Sequence, residues 1–387
     1  MRRWLLPEHI EDILPGEART VERLRRAILD LLATHGYELV QPPLLEYTES
    51  LLSGTGRDLD LATFRLVDRL SGRQLGLRAD HTPQVARIDA HLLNREGVTR
   101  LAYCGSVLHT LPAGMTTTRE PIQIGAELYG HAGLEADLEV LRLMSRALRV
   151  AGVEKVHLDI GHPRIYRALV EGASLEREEA EALFHAVQQK DLPAVMAMRA
   201  VLGDERAEAI ARLTRLNGDA GVLEEARKAL PRNPVIAQSL DELARLAREA
   251  AAPGLEVSID LAELGGFNYE SGVVFAAFAA ASPDALARGG RYDEVGRSFG
   301  RARPATGFTM DLRRIAALAG PSPRRAGILA PCVADRALDD EVARLRAAGE
   351  IVIADLPGHD AARAELGCDR ILESREGRWT VVPLKGE

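Results

Sequence analysis

Oxygen-bearing side chains alternate with apolar ones in the run PIQIGAELYG, residues 121–130. If this run is a strand, Gln123, Gly125 and Glu127 share one face, because successive side chains of a strand point to opposite faces. Amide and carboxylate oxygens on that face can accept hydrogen bonds from an ammonium group or an imidazole N–H. A polar sheet interior or surface would show the same alternation, and the run alone leaves both readings open.

A second polar group lies in LRADHT, residues 77–82. In an extended chain, Arg78, Asp80 and Thr82 would face one side together. Taken alone, the same alternation also fits the solvated face of an edge strand. The segment gains a functional meaning only beside the other polar segments.

Two glycine-rich segments carry tyrosines that are candidates for a ligand pocket. GGFNYESGVVF, residues 265–275, contains Tyr269, and ARGGRYD, residues 287–293, contains Tyr292. Glycine allows a backbone and a ligand to approach closely, and tyrosine hydroxyls can then contact a small polar ligand. Tyrosines are also common packing residues, so this pattern does not by itself define a site.

In the rest of the chain, the spacing of apolar residues and the local composition predict the helices and strands that hold these segments in place. Apolar spacing predicts amphipathic helices over residues 18–35 and 136–151, and short alternating runs predict hairpins at 64–78 and 99–131. Residues 163–251 are rich in Ala, Leu, Glu and Arg, which predicts a helical insertion. We therefore expect an α+β domain over 1–320, a linker at 321–325 and a small α/β domain at 326–387.

Composition excludes several classes of function. The 49 Lys and Arg against 57 Asp and Glu give a formal charge of -8 with both signs mixed along the chain, unlike a surface built to neutralise phosphates. Three widely spaced cysteines show no metal-ligand spacing, so no metal and no cofactor are expected. The sequence offers neither a secretory leader nor an apolar stretch long enough for a membrane, and we expect a cytoplasmic protein.

In this order, the segments resemble the catalytic domain of class II histidyl-tRNA synthetases over most of residues 1–320. The resemblance implies an antiparallel sheet flanked by helices, and self-association as a dimer through the first motif, GYELVQPPLLE. It also places Arg78 and Arg314 on the side of a vestigial nucleotide site. The residues that the resemblance assigns to an amino-acid pocket for a histidine-like ligand are Asp80, Thr82, Gln123, Glu127, Tyr269 and Tyr292.

The chain departs from the synthetase pattern where catalysis needs charge. His109 and Leu111 stand where that family has an arginine and an acidic residue, and Gly265 stands where it has another arginine. Attack on a phosphate builds negative charge, and losing one preorganised donor costs about 10² to 10³ in rate. A neutral His109 does not replace a bidentate guanidinium, so we expect no catalytic residues in this chain.

With these departures from the synthetase pattern, the chain resembles the family of synthetase-like regulatory subunits of ATP phosphoribosyltransferase. That resemblance implies a non-catalytic subunit that joins the short-form catalytic subunit, enables the first step of histidine biosynthesis and passes on feedback inhibition by histidine. About 60 residues follow the linker, and they carry no aromatic or basic platform for RNA bases, so no tRNA binding is expected.

Three other functions remain open from the sequence. They are a divergent histidyl-tRNA synthetase, a synthetase-related ligase that uses another carrier, and a binding module for uncharged tRNA. The site of a histidine effector is open as well, because it could lie at a subunit junction instead of the synthetase-like pocket.

Overall fold

The structure is a computed structural model that describes residues 4–53, 57–112, 114, 117–265 and 270–384. The chain divides into two compact units, Met1–Gly320 and Pro321–Glu387. Each unit has its own hydrophobic core.

Strands and helices are numbered here in chain order. The strands are β1 (Glu38–Leu39), β2 (Leu45–Tyr47), β3 (Arg65–Val67), β4 (Gln74–Leu77), β5 (Thr99–Ser106), β6 (Ile122–Tyr129), β7 (Val156–Gly161), β8 (Asn217–Gly218), β9 (Leu255–Asp260), β10 (Val274–Phe278), β11 (Ala287–Arg291), β12 (Ala305–Asp311), β13 (Gly327–Pro331), β14 (Val352–Asp355), β15 (Cys368–Arg375) and β16 (Arg378–Pro383). The α-helices are α1 (Pro15–Thr34), α2 (Thr48–Leu51), α3 (Arg57–Ala62), α4 (Thr82–Arg87), α5 (Leu134–Val150), α6 (Pro163–Val170), α7 (Arg177–Gln188), α8 (Leu192–Ala197), α9 (Arg199–Leu202), α10 (Asp204–Leu213), α11 (Val222–Ala229), α12 (Pro234–Glu249), α13 (Leu312–Ala319) and α14 (Arg336–Ala347). A π-helix, Ile88–Leu93, continues α4, and 3₁₀ turns cover Val295–Phe299 and Asp360–Leu366.

A mixed sheet forms the centre of the first unit, with the strand order β1-β5-β6-β12-β11-β10-β7-β9-β8. Its middle pairs, from β5 to β7, are antiparallel, as expected. The predicted antiparallel sheet flanked by helices is thus confirmed for the middle of the sheet, and towards its two edges β1 runs parallel to β5 and β7 runs parallel to β9. Parallel neighbours need a long crossover, and residues 163–251, which hold α6 to α12 and β8, supply it between β7 and β9.

Helices α1 and α5 cover one face of this sheet. The buried positions of α1 recur at helical spacing, as the sequence predicts, and they pack with Ile124, Ala126 and Leu128 of β6. Helix α1 starts at Pro15, three residues before the predicted start, because the fixed φ of proline suits the first turn of a helix. The apolar half of β6 is thereby buried and its polar half faces the other side of the sheet.

The predicted hairpins are confirmed. β3 pairs antiparallel with β4, and β5 pairs antiparallel with β6. β2 adds a third strand to the smaller sheet, in the order β2-β4-β3. β1 lies at the edge of the large sheet, as the two prolines that follow it predict.

A buried ion pair fixes β11 to the start of α5. Arg291 donates from Nη2 to Oδ2 of Asp137 at 2.8 Å, and it also donates to the carbonyl oxygens of His131 and Gly133. Its side chain is 9% exposed and that of Asp137 is 2% exposed. Several hydrogen bonds are needed to offset the desolvation of such a pair, and Arg291 makes them.

The second unit is a small α/β domain with the strand order β14-β13-β15-β16. β13 runs parallel to β14 and β15, and α14 packs on this sheet through Leu338 and Leu345. Asp335 caps α14 by accepting from the backbone N–H of Ala337, and it also accepts from Nε1 of Trp379 on β16 at 2.9 Å. The sequence around His359 to Leu366 predicts a second helical run, and the structure has a 3₁₀ turn over Asp360–Leu366.

Among the described residues, none of the helices has both the length and the apolar character that a membrane span requires.

The ion pair of Arg291 leads to a stability prediction. Asp137→Ala leaves a buried guanidinium whose remaining carboxylate partner among the described residues is Asp293, at 3.3 Å, and we expect the free energy of unfolding of the first unit to fall by about 3 kcal/mol. Urea unfolding followed by circular dichroism measures this loss. Asp204→Ala, which removes the exposed partner of Arg199, is the matched control and should hardly move the urea midpoint. Equal shifts in the two variants would contradict a structural role for the buried pair.

Candidate functional site

A cavity of about 90 Å³ opens on the face of the large sheet opposite α1 and α5. Its volume corresponds to several water molecules, so it suits a small ligand. Its ionisable lining residues come from five different segments: Asp80, Glu127, Glu263, Glu270, Arg288 and Tyr292. Four of these six side chains carry carboxyl groups.

Glu127 of β6 lies at the floor of the cavity and is 1% exposed. Its carboxylate accepts hydrogen bonds from the hydroxyl groups of Tyr292, of Tyr103 at 3.1 Å and of Thr82 at 3.3 Å. Burial raises the pKa of Glu127 to about 8, in spite of these donors. Gly307 lies directly opposite on β12, and a Cβ there would overlap the Glu127 carboxylate, so this position has room only for glycine.

The segment 77–82 is not extended, which corrects one expectation. β4 ends at Leu77 and helix α4 begins at Thr82, where Pro83 favours a helical first turn. Asp80 and Thr82 both line the cavity. Arg78 does not line it, because its Nε donates to the carbonyl of Ser106 and its Nη1 to the carbonyl of Pro42, each at 2.8 Å.

Gln123 lies behind the cavity and supports the loop that carries Asp80. Its Oε1 accepts from the backbone N–H of His81 at 3.1 Å and lies 2.9 Å from Nδ1 of the same residue. Burial lowers the pKa of His81 to about 4, so the neutral ring donates from Nδ1 while it stacks on Tyr103. Gln123 also hydrogen-bonds Asp80, whose pKa is raised because burial outweighs this contact.

His109, Leu111 and Gly265 stand at the positions where the synthetases have charged side chains, and the structure shows what surrounds each of them. His109 Nε2 is 3.0 Å from the carbonyl oxygen of Ala79, and Leu111 is 76% exposed. At Gly265 the backbone N–H donates to Oε1 of Glu263 at 2.7 Å, and a Cβ would lie 2.7 Å from the same oxygen. A carboxylate therefore occupies the space beside position 265.

Arg314 does not reach the cavity. Asp311 caps α13 by accepting from the backbone N–H groups of Arg313 and Arg314, and the guanidinium of Arg314 lies 3.3 Å from Asp284. Arg313 is 6% exposed and donates to Glu11 at 2.9 Å. Arg313 and Arg314 thus lie among carboxylates in a separate surface depression.

The structure brings four of the predicted pocket residues together around one cavity: Asp80, Thr82, Glu127 and Tyr292. Tyr269 lies outside the residues that the structure describes.

Sequence reasoning missed Glu263, Glu270 and Arg288. A signal for Arg288 was present, since it alternates with Gly290 and Tyr292 along ARGGRYD and so shares their face. Glu263 and Glu270 do not belong to an alternating pattern of this kind, so the pattern gave no signal for them. The acidic lining favours cations and opposes phosphate groups. No group of three metal-ligating side chains occurs within the described part of the chain.

Comparisons with known protein families cover both units. The model described as histidyl-tRNA synthetase matches residues 9–315, and the model described as the C-terminal domain of ATP phosphoribosyltransferase subunit HisZ matches residues 325–382. Proteins named ATP phosphoribosyltransferase regulatory subunit are similar over the whole length. Those of Paraburkholderia phymatum and Ralstonia nicotianae are 56% and 57% identical over 385 residues, which cover 100% of this chain and 100% and 99% of theirs.

Solved structures confirm the predicted synthetase-like fold. A crystal structure from Bacillus halodurans, described as an ATP phosphoribosyltransferase regulatory subunit/histidyl-tRNA synthetase, matches with a TM-score of 0.83 at 27% identity and covers 96% of this chain and 98% of that one. Histidyl-tRNA synthetase from Nostoc matches with a TM-score of 0.76, covering 99% of this chain and 97% of that one, and at 17% identity it supports the fold alone.

The pKa of Glu127 predicts a pH-dependent stability. Between its ordinary value of 4.5 and about 8, the folded chain keeps a proton that the unfolded chain releases. The contribution of Glu127 to the free energy of unfolding is therefore fully present below about pH 4.5 and is lost as the pH rises through about 8. The loss is up to about 1.4 kcal/mol per pH unit. Glutamine does not titrate, so Glu127→Gln does not lose stability for this reason. The free energy of unfolding of the native chain minus that of the variant should therefore fall with rising pH. Urea unfolding between about pH 5 and about pH 8 measures the difference, and a constant value would sink the assignment.

Proposed function

We propose that this chain, which belongs to the family of ATP phosphoribosyltransferase regulatory subunits and has a regulatory-subunit role in histidine biosynthesis, acts by binding and not by catalysis. The observation that carries this proposal is the charge of the cavity. Carboxylates that suit an amine are kept at Asp80 and Glu127, whereas the carboxylate of Glu263 lies where a phosphate-binding cation would be needed.

The loss of catalysis follows from electrostatics. Attack of a carboxylate on a phosphate requires preorganised cations, and removal of one donor costs about 10² to 10³ in rate. His109 is turned to a backbone carbonyl and Gly265 has no side chain. Arg288 is a guanidinium in the cavity, but the carboxyl groups of Glu263 and Glu270 line the same cavity.

The partner is the catalytic subunit of a short-form ATP phosphoribosyltransferase, since a regulatory subunit implies a catalytic one. Self-association as a dimer is part of the proposal and would use the region of the first motif. Exposed apolar side chains on and beside the β2-β4-β3 sheet support this surface: Leu44, Leu45, Leu61, Leu66, Val67 and Leu70. Contiguous exposed apolar patches commonly mark protein interfaces.

Histidine is the proposed effector, bound in the cavity by its ammonium group at Asp80, Thr82 and Glu127. Binding there regulates a partner if the ligand has different affinities for two conformations of the complex. No tRNA is needed for this role.

A divergent histidyl-tRNA synthetase is the second candidate, favoured by the match of residues 9–315 to that family and by the guanidinium of Arg288 in the cavity. Both candidates bind histidine, but only the synthetase activates it.

Two assays on the purified chain separate these candidates. We expect phosphoribosyl transfer to ATP by the short-form catalytic subunit to rise from near zero when this chain is added. We also expect no histidine-dependent exchange of pyrophosphate into ATP by this chain alone, because two missing cations lower the rate by about 10⁴ or more. A histidyl-tRNA synthetase is the positive control for exchange. Exchange by this chain, together with no stimulation of the catalytic subunit, would replace the proposal with the second candidate.

Glu127→Gln tests the location of the effector site. The variant loses a buried carboxyl group that can give up its proton and pair with the ammonium group of the ligand, so the histidine concentration for half-inhibition of the complex should rise by about tenfold or more. Glu256→Gln, at a side chain that is 83% exposed and outside the cavity, is the matched control and should match the native chain. Each variant is compared with its own rate without histidine. An unchanged half-inhibitory concentration in Glu127→Gln would move the effector site to a subunit junction.

A further inference from the structure

Trp4, Leu5 and Leu6 form an exposed apolar run ahead of α1. Their exposed fractions are 82%, 73% and 50%, and none of the three belongs to a hydrophobic cluster of the described residues. Single exposed apolar side chains are common on proteins and need no explanation. Several large ones in succession are unfavourable in water, and such a run generally marks a surface that another molecule covers.

The chain behind this run is fixed to the first unit. We call residues 4–14 the apolar arm and its exposed apolar run the tip. The backbone N–H of Arg119 donates to the carbonyl oxygen of His9 at 2.8 Å. The guanidinium of Arg313, which is almost completely buried, donates to Glu11 at 2.9 Å. The arm is therefore held at two points behind its tip, beside the connection between β5 and β6.

A turn sets the direction of the tip. The backbone N–H of Ile10 donates to the carbonyl oxygen of Pro7 at 3.1 Å, and His9 within this turn has a φ of 60°. This left-handed conformation is uncommon for residues other than glycine. The hydroxyl group of Thr118 also donates to the His9 carbonyl, at 3.1 Å, and so helps to hold the turn. A tip presented in a fixed direction loses less conformational freedom on docking than a flexible segment does.

The size of the tip suits an anchor that enters a pocket. A stable interface buries about 800 Å² on each partner, whereas one tryptophan side chain supplies at most about 250 Å². Two tips in contact with each other would therefore bury too little surface to hold two copies of this chain together. Within larger interfaces, tryptophan is enriched among the few residues that carry most of the binding free energy, and such residues fill pockets of the other chain.

The composition of the arm favours a protein pocket over a lipid surface. Segments that lie on membranes are typically amphipathic helices with Lys and Arg on the polar face. The apolar arm contains no helix, and residues 4–14 carry Glu8, Glu11 and Asp12 without any Lys or Arg. Three carboxyl groups behind an apolar tip complement a pocket that has cationic side chains at its rim.

We propose that the tip of the apolar arm docks into an apolar pocket of the short-form catalytic subunit, with Trp4 as the central anchor and basic side chains of that subunit near the arm carboxylates. This inference rests on the proposed function, which requires a catalytic partner, and it adds the surface that the partner covers. The residues of this surface differ from those of the β2-β4-β3 sheet, which are assigned to self-association.

Fluorine NMR on this chain labelled with 5-fluorotryptophan tests whether the tip becomes buried. The chain has two tryptophans, so two resonances are expected, and Trp4→Phe assigns them. Addition of the unlabelled catalytic subunit should shift the resonance of Trp4. Trp379, whose Nε1 donates to Asp335 in the second unit, is the internal reference. Formation of the complex with an unmoved Trp4 resonance would overturn the proposal.

Trp4→Ala tests what the contact contributes to affinity. The dissociation constant for the catalytic subunit, measured by sedimentation velocity, should rise by about thirtyfold or more, the ratio that corresponds to a binding hot spot. Stimulation at saturating concentration should stay native, because the tip docks and does not touch the reacting groups. Leu92→Ala is the matched control, since Leu92 is also highly exposed but lies on the π-helix, and it should keep the native dissociation constant.

A native dissociation constant in Trp4→Ala would contradict the proposal. Loss of self-association in this variant, with unchanged affinity for the catalytic subunit, would assign the tip to a second copy of this chain. A Trp4 resonance that responds to vesicles of phosphatidylcholine and phosphatidylglycerol but not to the catalytic subunit would assign it to a membrane. Binding and stimulation by the native chain are measured in the same titrations, so failure of the proposed function is distinguished from failure of this inference alone.

Discussion

Burial of the Glu127 carboxyl group is the interaction on which the site depends. This side chain needs the hydroxyl groups of Tyr103 and Tyr292 as donors, and it needs glycine at position 307 so that the carboxylate can lie flat against the next strand. These partners come from β5, from the residue after β11 and from β12, which are spread along the chain but adjacent in the sheet. A carboxyl group without them would be too costly to bury. The antiparallel core of the sheet is therefore also the framework of the binding cavity.

The charge around that carboxyl group sets what the cavity can bind. A synthetase must hold a phosphate beside an amino acid, and it needs cations on one side of the pocket. In this chain Glu263 hydrogen-bonds the backbone at Gly265, and Arg78 and Arg314 make their contacts with other protein groups. Under the proposed function, Asp80 and Glu127 keep the amine side of the pocket, while Glu263 stands on the side where a phosphate would need a cation. The proposal therefore assigns to this fold the sensing of a metabolite and not its activation.

Much of this architecture could be predicted from the sequence, because local patterns determine local elements. Alternation in residues 121–130 placed Glu127 correctly, and helical spacing located α1 and α5. The parallel pairs β1-β5 and β7-β9 were missed because they join distant segments, and no local period reports such pairing. Arg78 was assigned to the wrong face because the chain turns after Leu77, and Pro83 was the residue that could have predicted this turn. Glu263 and Glu270 enter the cavity through loops whose shape depends on tertiary contacts, such as the one from Arg167.

The crossover between β7 and β9 has a consequence for how this architecture can vary among proteins. Its helices make the only covalent path between two strands that run in the same direction, so a short hairpin cannot replace them. Replacing the whole segment by a tight turn would force β9 to reverse or to leave the sheet, because a parallel connection needs about a dozen residues or more, and it would remove β8, which pairs with β9. Loops on the surface of this unit can lengthen or shorten freely, whereas this segment can change its sequence and helix number but cannot be deleted. Descendants of this architecture are therefore expected to keep a crossover of about a dozen residues or more here, whatever task that segment comes to perform.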